Sequence, residues 1–280
     1  MPNGWAESAE ADPWWREIVP ELLAYDAVTE DPSGLLRLEV GATPNTVYVG
    51  QQVSLFATVS VDPSAMARMG RNTQYIPPDL AGFARVNEVF GAAQFPVASQ
   101  GDLQHSFSFQ HVYFPLDAGQ WTIPTGRVVM GLDSRGQGGL DGGEVLVQVE
   151  PVPTANAPTG YRGAVGRYRI RAWLEPDVIR WGEQGLLRVE VLGVGDVKQI
   201  QPPAISNVWG GELTPWRDYS WVEVKEGVVG GVRVFEYAVI PLEAAEVVID
   251  PIVFPYFDPY VGDFGVAATG ELSLRVLPPQ

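Results

Sequence analysis

At 280 residues the chain exceeds the usual size of a single domain, so two domains are the natural expectation. Its formal charge of −16 disfavours nucleic acid and anionic membrane surfaces, because neutralising phosphates requires clustered Lys and Arg. With no Cys, disulfides, thiolate zinc sites and thiol nucleophiles are excluded.

A 46% hydrophobic content with 11% aromatic residues is enough for real cores and argues against wholesale disorder. The 31 Gly and 24 Pro are scattered singly between apolar runs, the look of a turn-rich all-β protein. No run reaches the roughly 18–20 apolar residues of a membrane span. Met1-Pro2-Asn3-Gly4 lacks the basic start and apolar core of a secretion signal.

Residues 1–34 read as an N-terminal extension. Asp12-Pro13 supplies an N-cap and a first-turn proline for a helix over Trp14 to Leu23, which Pro20 should break or kink. Trp5, Trp14 and Trp15 there point to a segment that docks on the domains or on a partner. Residues 35–150 form the first expected domain. The turn Pro44 to Gln52 leads into alternating Val53, Leu55, Ala57 and Val59, a period of two that marks a strand with one buried face. Pro63 to Arg71 has the propensity of a short crossover helix. Pro77-Pro78-Asp79-Leu80, then Phe109 to Ala118, then Ile123, then Val145, Val147 and Val149 complete the domain. Residues 151–164 are an expected linker, stiffened by Pro151, Pro153 and Pro158.

Residues 165–280 repeat this order about 125–132 positions later. Pro176 to Gln184 answers Pro44 to Gln52 and leads into Leu187, Val189 and Val191; Pro202-Pro203-Ala204-Ile205 answers Pro77 to Leu80. Phe235 to Ala244 answers Phe109 to Ala118, Ile249 answers Ile123, and Leu272, Leu274 and Val276 answer the three valines. Four blocks in one order imply a duplicated β domain, too long for a solenoid repeat and suited to a sandwich of about seven strands. The fold expected is all-β: two tandem immunoglobulin-like or fibronectin-like β-sandwich domains, without the cysteine-pinned core of antibody domains.

The second half carries Gly160-Tyr161-Arg162-Gly163-Ala164-Val165-Gly166-Arg167-Tyr168, the turn Trp181-Gly182-Glu183, and Gly193-Val194-Gly195-Asp196-Val197-Lys198. Phe235-Glu236-Tyr237 with Pro241, and Phe254 to Pro259, follow; the first half adds Pro77 to Phe83 and Phe114-Pro115-Leu116. In this order the motifs resemble the ectodomain of the BatD aerotolerance family over roughly residues 38 to 277. Asp196 departs from the family's usual Asn, and Ala245 stands where the first half keeps Gly119. The resemblance implies an extracytoplasmic envelope protein, membrane-anchored in its full length through a segment this chain lacks. It also implies von Willebrand A-domain membrane proteins and a MoxR-type ATPase as genetic neighbours, and a link to oxygen or stress tolerance. It transfers no catalytic or binding position.

Direct chemical signals are few. His105 and His111 lie six positions apart in one expected strand, about 20 Å at strand spacing and too far to share a metal; His111 aligns with Tyr237. No nucleophile elbow, phosphate loop or zinc-protease helix motif occurs, and no catalytic residue, cofactor or metal is assigned. Oxygen-rich stretches that calcium could use are Asp133 to Glu144 and the set Asp250, Asp258 and Asp263. The first lacks EF-hand spacing and reads better as a flexible hairpin. Trp209, Trp216, Tyr219 and Trp221 lie between strand signals near Gly210-Gly211 and Pro215. Either they cap one end of the sandwich, or they expose a platform for a protein or a sugar.

The expected function is an extracytoplasmic scaffold or protein-interaction module of an envelope stress or aerotolerance complex. A carbohydrate-binding or adhesin-type protein is the alternative, and would need solvent-facing Trp rings in a row. An enzyme would need a carboxylate pair in a cleft.

Overall fold

A computed structural model describes residues 27–30, 36–62, 74–86, 93–95, 105–132, 136–225 and 227–279. The expected helices over 14–23 and 63–71 lie outside these residues. Among the described residues there is no α-helix, and two compact units divide between Pro151 and Val152.

The first unit contains β1 (Ala27–Glu30), β2 (Leu36–Thr43), β3 (Thr46–Tyr48), β4 (Val53–Val61), β5 (Gln74–Ile76) and β6 (Phe83–Arg85). It continues with β7 (Ala93–Phe95), β8 (His105–Pro115), β9 (Gly119–Pro124), β10 (Arg127–Leu132), β11 (Gly136–Asp141) and β12 (Glu144–Glu150). One sheet runs β1-β2-β4-β8-β6, with β7 also on β8; two smaller sheets run β3-β12-β9 and β11-β10-β5. Leu55, Val53 and Tyr113 of the large sheet pack with Val47, Ile123, Val145, Val147 and Val149. Further along the same strands, Leu38, Val40, Ala57 and Val59 pack with Tyr75, Val128 and Leu140.

The second unit contains β13 (Gly166–Glu175), β14 (Val178–Arg180), β15 (Gly185–Gly195), β16 (Val208–Trp209) and β17 (Gly211–Lys225). It ends with β18 (Val228–Pro241), β19 (Glu246–Ile249), β20 (Val253–Asp258), β21 (Asp263–Ala268) and β22 (Leu272–Leu277). Its sheets run β13-β15-β18-β17, β14-β22-β19-β16 and β20-β21. The inner faces meet in one core built on Leu187, Val189, Val191, Phe235, Val239, Val247, Ile249, Ile252, Leu274 and Val276. Both units are therefore β-sandwiches, all-β as the alternating patterns imply.

The sequence repeat is a repeat of register. Val53 pairs with Tyr113, and the aligned Gly185 pairs with Val239. Val145 pairs with Ile123, and the aligned Leu272 pairs with Ile249. In each unit a short strand pairs in parallel with the last one, β3 with β12 and β14 with β22. The turn that follows is repeated in its hydrogen bonds. The amide of Tyr48 donates to the Gln51 side chain at 2.9 Å, and that of Arg180 to the Glu183 side chain at 2.8 Å. The next turn residue returns to the final strand in both, Val49 N to Glu150 O and Trp181 N to Leu277 O. His111 occupies the ladder position of Tyr237, opposite Leu55 as Tyr237 is opposite Leu187.

Three of the second-half motifs, around Tyr168, Gly193-Val194-Gly195 and Phe254 to Asp258, meet at the Tyr168 ring. Its hydroxyl donates to Val165 O at 2.9 Å, and its ring meets Phe254 and Tyr256 edge to face. A Cβ on Gly193 would stand 2.8 Å from the ring, and one on Gly195 would stand 2.2 Å from its hydroxyl, so both positions require glycine. Next to it Arg167 Nε donates to Asp258 Oδ2 at 2.8 Å. Asp196 caps a single 3-10 turn by accepting from the Lys198 amide at 3.1 Å, a bond the side-chain oxygen of Asn could also accept. These residues thus have structural work around one ring.

Leu55 and Leu187 hold equivalent, fully buried places in the two cores. Each Leu→Ala variant should lose about 2–5 kcal/mol from the unfolding of its own unit, read from denaturant midpoints. A loss below about 1 kcal/mol at either site would contradict the core assignment.

Candidate functional site

Strand alternation that sends Leu187, Val189 and Phe235 inward sends Arg188, Glu190 and Glu236 to the opposite face of the β13-β15-β18-β17 sheet. Cross-strand pairing arranges that outer face in three central rows. They are Trp173-Arg188-Glu236-Arg217, Arg171-Glu190-Val234-Tyr219, and Arg169-Leu192-Val232-Trp221. Residues from four separate stretches are thereby placed side by side.

Glu236 sits at the centre with its side chain fully buried. It accepts from Arg188 Nε at 2.8 Å, from the Tyr219 hydroxyl at 3.0 Å, and from Arg217 Nε. Glu190, also buried, accepts from Arg171 Nε. An unpaired carboxylate here would be very costly, so these arginines are held in place by the need to satisfy it. The guanidiniums also organise the rings. Arg217 lies 4.8 Å from the Trp216 ring and 5.3 Å from that of Tyr219, and Arg188 lies 5.4 Å from that of Trp173. Tyr219 and Trp221 meet edge to face at 4.9 Å.

Burial alone pushes the Glu236 carboxyl up, but the hydrogen bonds from Arg217, Arg188 and Tyr219 outweigh it and hold it below its ordinary value. The Tyr219 hydroxyl is pushed up, first by burial and then by its bond to Glu236.

The four aromatics singled out from sequence do not form one loop. Trp216, Tyr219 and Trp221 lie within the long strand β17, and Trp209 ends β16 in the other sheet. Trp216 stands out from the ladder because a bulge between Pro215 and Arg217 shifts the register there. Nor do the tryptophans cap the sandwich: Trp209, Trp216 and Trp221 are 60%, 61% and 48% exposed. Trp209 Nε1 donates to Asp250 at 3.3 Å, beside Asn207 Nδ2 at 2.6 Å.

Asp258 and Asp263 face each other across β20 and β21, but each of the three acids is engaged by protein donors. Asp250 serves Asn207 and Trp209, Asp258 serves Arg167 and the Tyr260 amide, and Asp263 turns to the Phe264 amide. Of the stretch 133–144, residues 133–135 lie outside the described ones, Gly136–Asp141 pairs with β10 in a hairpin, and Glu144 opens β12. His105 and His111 both belong to β8; the His105 side chain lies outside the described residues. The His111 ring lies 5.4 Å from that of Tyr75, and burial, then Arg85, lowers its pKa.

Sequence reasoning missed Arg171, Trp173, Arg188, Glu190, Arg217 and Glu236 as parts of this face. A signal existed: a glutamate between apolar neighbours in Val189-Glu190-Val191 and Phe235-Glu236-Tyr237, opposite the alternating arginines of β13.

Because the folded pKa of Glu236 is depressed, its stabilising contribution is fully present above about pH 4.5 and is lost as pH falls through the folded value. Glu236→Gln should therefore unfold the second unit earlier at neutral pH and flatten the acid limb of its stability curve. Parallel acid limbs for variant and parent would contradict the pairing.

No family model and no curated protein matches the chain. Among solved structures, it is similar at 9% identity and a TM-score of 0.23 to the Yersinia pseudotuberculosis adhesin InvE, covering 85% of this chain and 60% of that one. It is similar at 12% identity and a TM-score of 0.24 to the Escherichia coli adhesin FdeC, covering 88% and 66%. A type II cohesin dyad from the adaptor ScaA scaffoldin of Acetivibrio cellulolyticus follows at 11% identity and a TM-score of 0.16, covering 86% and 96%. The chain thus spans less than two thirds of either adhesin structure. At these scores the likenesses carry no argument about function, and the fold rests on the strand order and register described above.

Proposed function

We propose that the chain is an extracytoplasmic protein-interaction module whose second unit binds a partner through the outer face of its β17 edge. The observation that carries this reading is the pair of half-exposed tryptophans, Trp216 and Trp221, on a strand whose neighbouring arginines are fixed by a buried carboxylate. Large aromatic rings and oriented guanidiniums are the residue types that dominate binding energy at protein interfaces. Placing them on regular strands keeps the ordering cost of association low.

The resemblance to the BatD family supplies the physiological setting of the proposal: an envelope scaffold in a stress or aerotolerance complex, with von Willebrand A-domain membrane proteins as partners. No helix among the described residues is long and apolar enough to cross a membrane.

A carbohydrate-binding role draws on the same exposed rings. Stacking successive sugars requires rings in a coplanar row, whereas Tyr219 and Trp221 meet at 85° and Trp209 belongs to another sheet. The geometry therefore favours a protein partner.

The test is binding of the purified chain to isolated von Willebrand A domains of the kind the resemblance implies, followed by calorimetry. Trp216→Ala with Trp221→Ala should weaken that binding at least about tenfold, the loss expected of two interface anchors, and leave the melting transition in place. Undiminished binding by the double variant would remove the platform from the interface. Retention on cell-wall polysaccharide with no protein bound would favour the glycan reading.

A further inference from the structure

We infer that the first unit carries an acid-sensitive position at His111 that the second unit lacks, so that mild acid loosens the first unit and leaves the second folded. This device is separate from partner binding and does not depend on the β17 face. His111 lies on β8 in the register that sends Phe109 and Tyr113 towards the core, and it pairs with Leu55 across the ladder. Its ring is 5.4 Å from that of Tyr75. Leu55 and Tyr113 belong to one buried cluster of the first unit, and Tyr75 belongs to the other, against which Phe109 packs. The imidazole therefore stands where the two halves of that core meet. The core of the second unit is a single cluster, and Tyr237, at the aligned ladder position, packs against it.

The described residues around His111 favour a neutral ring. β4 sets Val53, Leu55 and Ala57 on this face, none of which titrates. β5 contributes Tyr75, whose hydroxyl donates to Thr125 O and is pushed up by burial. On β8 itself, Tyr113 donates to Pro78 O at 2.8 Å, and burial pushes its hydroxyl up to about 12, with Arg85 opposing the rise and Asp79 adding to it. Neither phenol ionises in mild acid. β6 contributes Arg85, opposite Tyr113 in the ladder, and its guanidinium repels a second cation. Burial first, then Arg85, holds the imidazole below its ordinary value.

The unfolded chain takes up this proton near pH 6.5, before the folded unit does. Stability of the first unit is therefore full above that value and declines as pH falls from it towards the folded value. The aligned position of the second unit carries no such group, since burial pushes the Tyr237 hydroxyl up. Burial also pushes the neighbouring Glu236 up, but its donors outweigh this and keep it ionised. One core of the duplicated pair thus holds a group that titrates near neutrality, and the other holds a phenol in its place.

Amide hydrogen exchange on the whole chain, corrected for the intrinsic effect of pH, reads the two units separately. From pH 7.5 to 5.5 the slowest amides of β4 should lose protection several-fold. The limit is about tenfold, which is what a site with an unfolded value near 6.5 loses one pH unit below it. The slowest amides of β15 should change little. His111→Tyr, which adopts the residue of the second unit, should abolish the fall in β4, and circular dichroism confirms that it folds. NMR of the parent should show the His111 imidazole titrating below 6.5, assigned by its absence from that variant. The chain has two histidines, so if His111→Tyr does not fold, His105→Gln leaves His111 as the sole imidazole and its titration decides. An imidazole titrating at or above 6.5, or equal losses in β4 and β15, would overturn the inference. So would a fall that persists in His111→Tyr, which would place the sensitivity elsewhere, as at His105.

Discussion

A carboxylate without solvent, in the middle of a four-stranded sheet, sets the terms for the second unit. Glu236 must be ionised and paired or else neutral, and the three donors from Arg188, Arg217 and Tyr219 decide for the ionised form. Because those donors come from β15 and β17, the two strands that flank β18, the pairing ties all three together through side chains as well as through the ladder. The edge position of Arg217 matters most. Without the buried charge, a long side chain at the rim would sample many rotamers; with it, the guanidinium is fixed beside Trp216 and Tyr219.

The duplication makes the same point by contrast. The outer face of the first unit has the same register and different chemistry. Glu190 and Val234 are replaced there by Thr58 and Ser108, whose hydroxyls are hydrogen-bonded at 3.0 Å, and Glu236 by Gln110, which donates to Ser54 at 3.0 Å. Arg188 becomes Phe56, which is buried. Among the described residues, the strands next to β8 on that side are the three-residue β6 and β7, where the second unit has β17. Two units with one architecture thus differ on one face. The ionic network, exposed tryptophans and long edge belong to the second.

The architecture was legible in the sequence because strands advertise themselves locally. Alternating Val53, Leu55, Ala57, Val59 and its echo at Leu187, Val189, Val191 report a period of two wherever one face is buried. The shared order of blocks carries over into shared register, since a slip of one residue would have turned every such side chain outward. The face was less legible. Trp216, Tyr219 and Trp221 could be picked out by type, but their place on a strand was hidden by Pro215 and Gly210-Gly211, which read as loop signals. Glu190 and Glu236 stand 46 positions apart, and the arginines that satisfy them are spread over three strands, Arg171 and Arg188 before Glu190 and Arg217 between the two. Pairings of that range follow from topology, not from local pattern.

Glu236 and its arginines act as one unit. A double-mutant cycle tests it most directly, with Arg188→Ala, Glu236→Gln and the double variant compared by denaturant unfolding of the second unit. The single losses should not add, with a coupling of about 1–3 kcal/mol between the two positions. Losses that add within about 0.3 kcal/mol would show the two side chains to be independent, and the buried carboxylate would no longer explain how the face is held.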